Sequence, residues 1–402
     1  MADLLEAQLA EALRRLRAVR AEPVLLVHHN DADGLTSGAL LAVALEVEGH
    51  PVERLAVEKI FPAVLAAIHS RRRPVTIYAD LAGQNAGAIA VLADPGTWTL
   101  ILDHHRPEAV QAPHVQLVNP ELAGLSGDLE CSASALVYQF VRRLVPRMTR
   151  YADLGVLGAL GDGQVVDGAL RGLNAWALAD AEAAALVTPM GGSVRSAGFS
   201  RFSDREGAAL AADLTRLGSV GYYRDGPALA VMACRDGWGD QVQARLRELT
   251  ALEEKRFGVA EAQLRRGGLR RLGRILWFDV GDHFAPMGVK SVGTFCERIV
   301  AAGWMDPAAY VVGMQTLAGK IPGLGRFDWD LRKVSVRVPA ALAQEILAGR
   351  APDLMRLVPT ASDAVGGFAD GCHRLTAAAT IPGDAAEGFI QALARATQPD
   401  PE

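Results

Sequence analysis

Three short apolar runs within the first 105 residues share one property: each ends abruptly in acidic or histidine residues. PVLLV at 23–27 leads into HHNDADG, PVTIYAD at 74–80 ends on Asp80, and WTLILDHH at 98–105 ends on Asp103-His104-His105. Short runs rich in β-branched and bulky residues read as strands, and HVQLVNP at 114–120 reads as another. Helical patterns follow from Leu35 to Val47 and near 131–146 and 152–160. Strands alternating with helices predict a mostly parallel sheet covered on both faces. Ligands of such sheets bind beyond the carboxyl ends of the strands, which is where every one of these polar clusters falls. The fold class is therefore α/β, with its functional edge already marked.

The chemistry of that edge follows from the residue types. His29, Asp31 and Asp33 follow the first strand and can present several ligands at one mouth, although an Asp there also suits an N-cap. The adjacent His28 reads as a packing residue. Asp80, taken alone, is compatible with a turn. Asp103-His104-His105 is harder to explain structurally, because neighbouring histidines contribute little to packing. Asp162, flanked by glycines in GALGDGQ, stands at a helix end. Together these hard carboxylates and imidazoles suit Mn²⁺ or a similar divalent ion. They exceed what one ion needs. Two ions about 3.5–4 Å apart, bridged by a carboxylate and a water, would use the set and favour in-line displacement at phosphorus.

Composition bounds the rest. At 402 residues, 50% hydrophobic and 22% charged, the chain has material for two globular domains. No window approaches the roughly 20 apolar residues of a membrane span, and Leu5, Leu9, Leu13, Leu16 and Val19 mark an amphipathic N-terminal helix rather than a signal peptide. A cytoplasmic, membrane-free protein is expected. Cys131, Cys234, Cys296 and Cys372 form no CxxC pair and read as small, buried, reduced thiols. The net charge of −5 neither supports nor excludes a nucleic-acid partner, because bound metals would offset an aspartate cluster. Residues 168–265 are Ala/Leu-rich and read as largely helical, with 239–266 as one long helix. RRGGLRRLGR at 265–274 then gives way to a strand, ILWFDV. The expected organisation is a catalytic domain at 1–185, a helical connector at 186–268 and a smaller α/β domain at 269–395, with ATQPDPE as a frayed tail.

The motif order HxDxDG, strand-Asp, DHH, GDG resembles the DHH phosphoesterase superfamily. Val118-Asn119-Pro120, Ser132-Ala133-Ser134 and GVLGALGDGQ are most similar to its archaeal RecJ-type branch. Near the C-terminus, Gly371-Cys372-His373-Arg374-Leu375-Thr376-Ala377-Ala378, preceded by Gly366-Gly367, resembles the GGHxxAAG signature of a DHHA1 domain. It departs from that signature at Cys372, Thr376 and Ala378. The upstream LRKVSVRVP carries Ser335 and Arg337, as the family's strand does.

The resemblance implies an active site in the cleft between a DHH and a DHHA1 domain. It implies that His29, Asp31, Asp33, Asp80, His104 and Asp162 bind two Mn²⁺ ions (Mg²⁺ being possible), with Asp80 bridging. It places His105 by the scissile phosphate, gives Asp103 the task of orienting the histidines, and assigns a substrate phosphate to Arg337, Gly371 and His373. The implied reaction is hydrolysis of single-stranded DNA, RNA or short oligonucleotides, from an end. Two alternatives stay open: a phosphodiesterase or phosphatase acting on cyclic dinucleotides or pAp, and a non-catalytic replication or repair subunit. The filled ligand positions argue against the last. Arg265, Arg266, Arg270, Arg271 and Arg274 either track a phosphate backbone or form a solvated helix end, and Arg71-Arg72-Arg73 reads as a surface loop.

Overall fold

The computed structural model describes residues 2–397. Helix α1 (Ala2–Ala18) buries Leu5, Leu9, Leu13 and Leu16, the stripe expected of it. The chain then alternates through β1 (Val24–His28), α2 (Ala32–Val47), β2 (Val52–Ala56), α3 (Pro62–His69), β3 (Val75–Ala79), α4 (Ala86–Leu92), β4 (Trp98–Leu102) and β5 (Val115–Val118). These strands form a five-stranded sheet in the order β2-β1-β3-β4-β5, parallel throughout. Val24 stands beside Val75, and Val75 beside Trp98, so β1, β3 and β4 end level with one another. All three are wholly buried, which is why they read as uninterrupted apolar runs. Edge strand β2, VERLA, is only partly buried and carries charges, so no apolar run betrays it.

Helices α5 (Ala133–Leu144), α6 (Ala152–Gly161) and α7 (Gly172–Ala183) follow. The next stretch differs from expectation. Strands β6 (Val187–Met190), β7 (Ser193–Phe199) and β8 (Arg205–Glu206) form a three-stranded sheet where helix was expected. Gly191 and Gly192 have φ of +65° and +75°, the pair of left-handed residues that closes a tight hairpin. Helices α8 (Gly207–Ser219), α9 (Gly226–Asp236) and α10 (Asp240–Gln263) then restore the helical pattern, and α10 ends in a π-turn over Leu264–Gly268.

The chain divides into compact units near residue 249, within α10, with the short segment Pro322–Gly325 joining the first unit. The span 186–268 is thus not a separate helical connector: it begins with a sheet and is shared between both units. The second unit contains β9 (Arg270–Leu272), β10 (Ile275–Asp279), α11 (Ser291–Ala301), β11 (Tyr310–Thr316), the short strand β12 (Lys320–Ile321), Arg326 of the short strand β13 (Gly325–Arg326), β14 (Leu331–Arg337), α12 (Ala340–Leu347), α13 (Leu354–Asp363), β15 (Phe368–Cys372), β16 (Thr376–Pro382) and α14 (Ala386–Ala396). Its six-stranded sheet, in the order β15-β16-β14-β11-β10-β9, is parallel only between β10 and β11. Tyr310, Val312, Val334, Val336, Phe389 and Leu393 belong to the apolar cluster that covers it. The tail expected at 398–402 lies outside the described residues. Cys131, Cys234 and Cys296 are buried free thiols, but Cys372 is partly exposed. No helix among the described residues is long and apolar enough to cross a membrane.

Candidate metal centre

The ends of β1, β3 and β4 deliver their polar residues to one place. Donor atoms of His29, Asp31 and Asp80 lie within 4.8 Å of one another, as do those of Asp33, Asp80, His104 and Asp162, and those of Asp80, Asp103, His104 and His105. Asp80 belongs to every group. Its backbone has a φ of +64°, a left-handed conformation that Asp tolerates better than most residues.

Each carboxylate has a distinct anchor. Asp31 caps α2, accepting from the Gly34 amide at 3.1 Å. Asp33 is fully buried and accepts from the Ala133 and Ser134 amides at 2.7 and 2.8 Å. It therefore docks on the first turn of α5, where unpaired N–H groups and the helix dipole favour negative charge. Asp103 accepts from the Gly83 amide at 2.7 Å, the His104 amide at 2.9 Å and His105 Nδ1 at 2.8 Å. Asp162 closes α6 and lies 3.1 Å from His104 Nε2.

Asp80 is the exception. It is 2% exposed, and neither carboxylate oxygen has a hydrogen-bond partner. One oxygen lies 3.3 Å from His29 Nδ1 and the other 3.4 Å from His104 Nε2. Burial first, then the charges of Asp31 and Asp33, push its carboxyl well above the usual carboxylate range. Burial and Asp162 raise Asp33 as well. For His104, burial opposes protonation, but the facing carboxylates of Asp162 and Asp80 outweigh it and raise the pKa. Crowded negative charge thus favours the protonated forms of these groups. Buried carboxylate oxygens without donors, facing imidazole nitrogens, are the donor set of a hard divalent ion, so the residues fit the metal that the sequence implies.

The histidines are oriented by what their other nitrogens touch. His104 Nδ1 lies 2.7 Å from the Gly127 carbonyl, which can only accept, so Nδ1 carries a proton and Nε2 is the nitrogen turned to the carboxylates. Asp103 holds His105 Nδ1 and, against the opposing effect of burial, raises its pKa. The side chain of His105 is 53% exposed, against 6% for His104, and stands at the mouth of the cluster.

All eight residues expected from the three strand ends and the GDG turn are brought together here. Arg337, Gly371 and His373 lie instead in the second unit, on β14, on β15 and just beyond β15. Arg337 already pairs with Glu297 at 2.9 Å and donates to Ser335 Oγ at 2.8 Å, while His373 is exposed. Of the arginines at 265–274, Arg265 pairs with Glu261 and Arg271 with Asp306, while Arg266 and Arg274 donate to backbone carbonyls.

Residues 23–159 match the DHH family, N-terminal domain. An uncharacterized protein of Methanocaldococcus jannaschii is 32% identical over 160 residues, 38% of this chain and 35% of the relative. Among solved structures, RecJ from Thermus thermophilus in complex with Mn²⁺ shares 19% identity with a TM-score of 0.63, covering 99% of this chain and 55% of RecJ. CDC45 from Entamoeba histolytica shares 9% identity with a TM-score of 0.54, covering 97% and 98% of the two chains. The chain thus spans about a third of its curated relative and about half of that RecJ. At such identities the structural likenesses establish a common fold.

Proposed function

We propose that this chain is a two-metal phosphodiesterase, working with Mn²⁺ or Mg²⁺, that hydrolyses single-stranded nucleic acid or short oligonucleotides from an end. The observation that carries this reading is Asp80, buried with both carboxylate oxygens lacking donors and shared by both ligand sets. His29, Asp31 and Asp80 would hold one ion, and Asp33, Asp80, His104 and Asp162 would hold the other. When bound, the ions supply Lewis acidity that activates water and neutralises charge on the phosphate during in-line displacement.

The protein residues do the rest. Asp103 fixes His105 through Nδ1, leaving Nε2 to donate a proton toward the departing oxygen. Asp103 raises the pKa of His105 against the opposing effect of burial and so favours its protonated form. The second unit is read as a DHHA1-like domain of the archaeal RecJ-type branch. There Arg337, exchanging Glu297 for phosphate, acts with Gly371 and His373 to hold the substrate. The RecJ relative solved with Mn²⁺ is consistent with the choice of ion.

The test compares Mn²⁺-dependent hydrolysis of a long single strand, a short oligonucleotide, a cyclic dinucleotide and pAp, with Asp80→Ala as control. The reading expects strand cleavage that falls about a thousandfold in the variant, since metal ions contribute several kcal/mol of transition-state stabilisation. Preference for the cyclic compound or pAp assigns small-nucleotide turnover instead. A wild type that binds Mn²⁺ poorly and cleaves none of the four points to a scaffold.

A further inference from the structure

A buried polar chain connects two ligands that reach the centre from different elements. Gln164 Nε2 donates to the Gly127 carbonyl at 2.8 Å, the same oxygen that receives His104 Nδ1. Asn174 Nδ2 donates to Gln164 Oε1 at 2.7 Å, and Asn174 Oδ1 accepts from the Ser132 amide at 2.9 Å. Ser132 in turn caps α5, whose first amides hold Asp33. Gln164 is 2% exposed, and Asn174 and Ser132 are fully buried.

The polarity of this chain is forced. The Ser132 amide can only donate, so it must meet Asn174 Oδ1. That leaves Asn174 Nδ2 to meet Gln164 Oε1, and Gln164 Nε2 to meet the Gly127 carbonyl. Every link is satisfied in one orientation alone. A Cβ on Gly127 would lie 2.0 Å from the His104 carbonyl oxygen, so glycine is required where the two segments meet. Apolar side chains of similar volume could fill this space without a demand for matched partners. The retained polar chain defines the position of one ligand relative to another.

We infer that Gln164 and Asn174 are positioning residues that couple the His104 imidazole to the Asp33 carboxylate, so that the ion held between them finds both in register. The inference rests on the two-metal reading and adds to it which residues set the geometry of one ion. Neither residue is a ligand. Both act through His104 and Asp33.

The experiment measures Mn²⁺ affinity by calorimetric titration of the full chain for wild type, Gln164→Met, Asn174→Leu and the double variant, with metal-free melting recorded for each. Each single variant should bind about 10- to 100-fold more weakly, the usual effect of losing a group that orients a ligand. The double variant should bind no worse than the weaker single, because one broken link already uncouples the chain. Gln164→Glu, which keeps size and the acceptor toward Asn174 but loses the donor toward Gly127, covers the case in which the others do not fold. It should also weaken binding. Folded variants that bind like wild type, or losses that multiply in the double variant, overturn the coupling while leaving the metal centre intact. Wild-type protein that takes up no Mn²⁺ overturns both readings.

Discussion

The crowding around Asp80 makes metal binding a stability effect that can be calculated. Asp80→Asn keeps the shape of the side chain but removes the charge shared by both ligand groups. At free Mn²⁺ about a hundredfold above its Kd, a site that exists only in the native state adds about 2.7 kcal/mol, and two such sites about 5 kcal/mol. For a unit of this size each kcal/mol raises Tm by about 2–4 °C. Melting of the wild type, followed by circular dichroism in chelator and then in Mn²⁺, should therefore shift by about 5–10 °C for one ion and about 10–20 °C for two. The variant should lose nearly all of that shift. In chelator it should melt at or above the wild-type temperature, because a neutral amide ends the repulsion from Asp31 and Asp33. A variant that keeps the wild-type shift shows that Asp80 is not the shared ligand, and the two-ion assignment fails.

Two further outcomes follow from packing and burial. A Cβ at Gly158 would lie 2.0 Å from Ser134 Oγ and 2.2 Å from Asp33 Oδ1, so Gly158→Ala should cost about 1–3 kcal/mol and weaken Mn²⁺ binding. Urea unfolding with and without the ion checks both, and wild-type values for each would contradict the packing. His69, buried against the Tyr78 hydroxyl at 2.9 Å, has its pKa pushed down from 6.5 to about 4, by burial first and by His114 second. The unfolded state then binds the extra proton, so this contribution is intact above pH 6.5 and lost as pH falls toward 4. The loss is about 3 kcal/mol in total. His69→Gln should flatten that part of the pH–stability curve, and a curve parallel to wild type would show that His69 does not titrate as argued.

The part of the molecule that could be read from sequence is the part where burial leaves a one-dimensional trace. Strands buried on both faces must be apolar along their length, so the change to Asp80 or to Asp103-His104-His105 stands out, and the parallel sheet places those ends side by side. Strand β2 left no such trace because it is only partly buried and carries Glu53 and Arg54, and Arg270 and Arg271 conceal β9 in a run of charge. The hairpin around Gly191-Gly192 did carry a signal, a glycine pair between β-prone segments, which the Ala/Leu-rich surroundings outweighed. Gln164, Asn174 and the α5 amides that dock Asp33 were illegible for a different reason. Their partners lie between 10 and 101 residues away, and a single amide side chain has no periodicity to announce it.

The docking of Asp33 on α5 also constrains how the molecule comes to be during synthesis. Asp33 precedes the Ala133 amide that holds it by 100 residues, and Asp162 lies further on still. An emerging chain that has paired only its first strands carries His29, Asp31 and Asp80 without the helix that fixes Asp33. The group of Asp33, Asp80, His104 and Asp162 is therefore complete only once α5 and α6 have folded. On the proposed reading, the ion of that group would be captured late and would seal a domain already closed across a long stretch of chain.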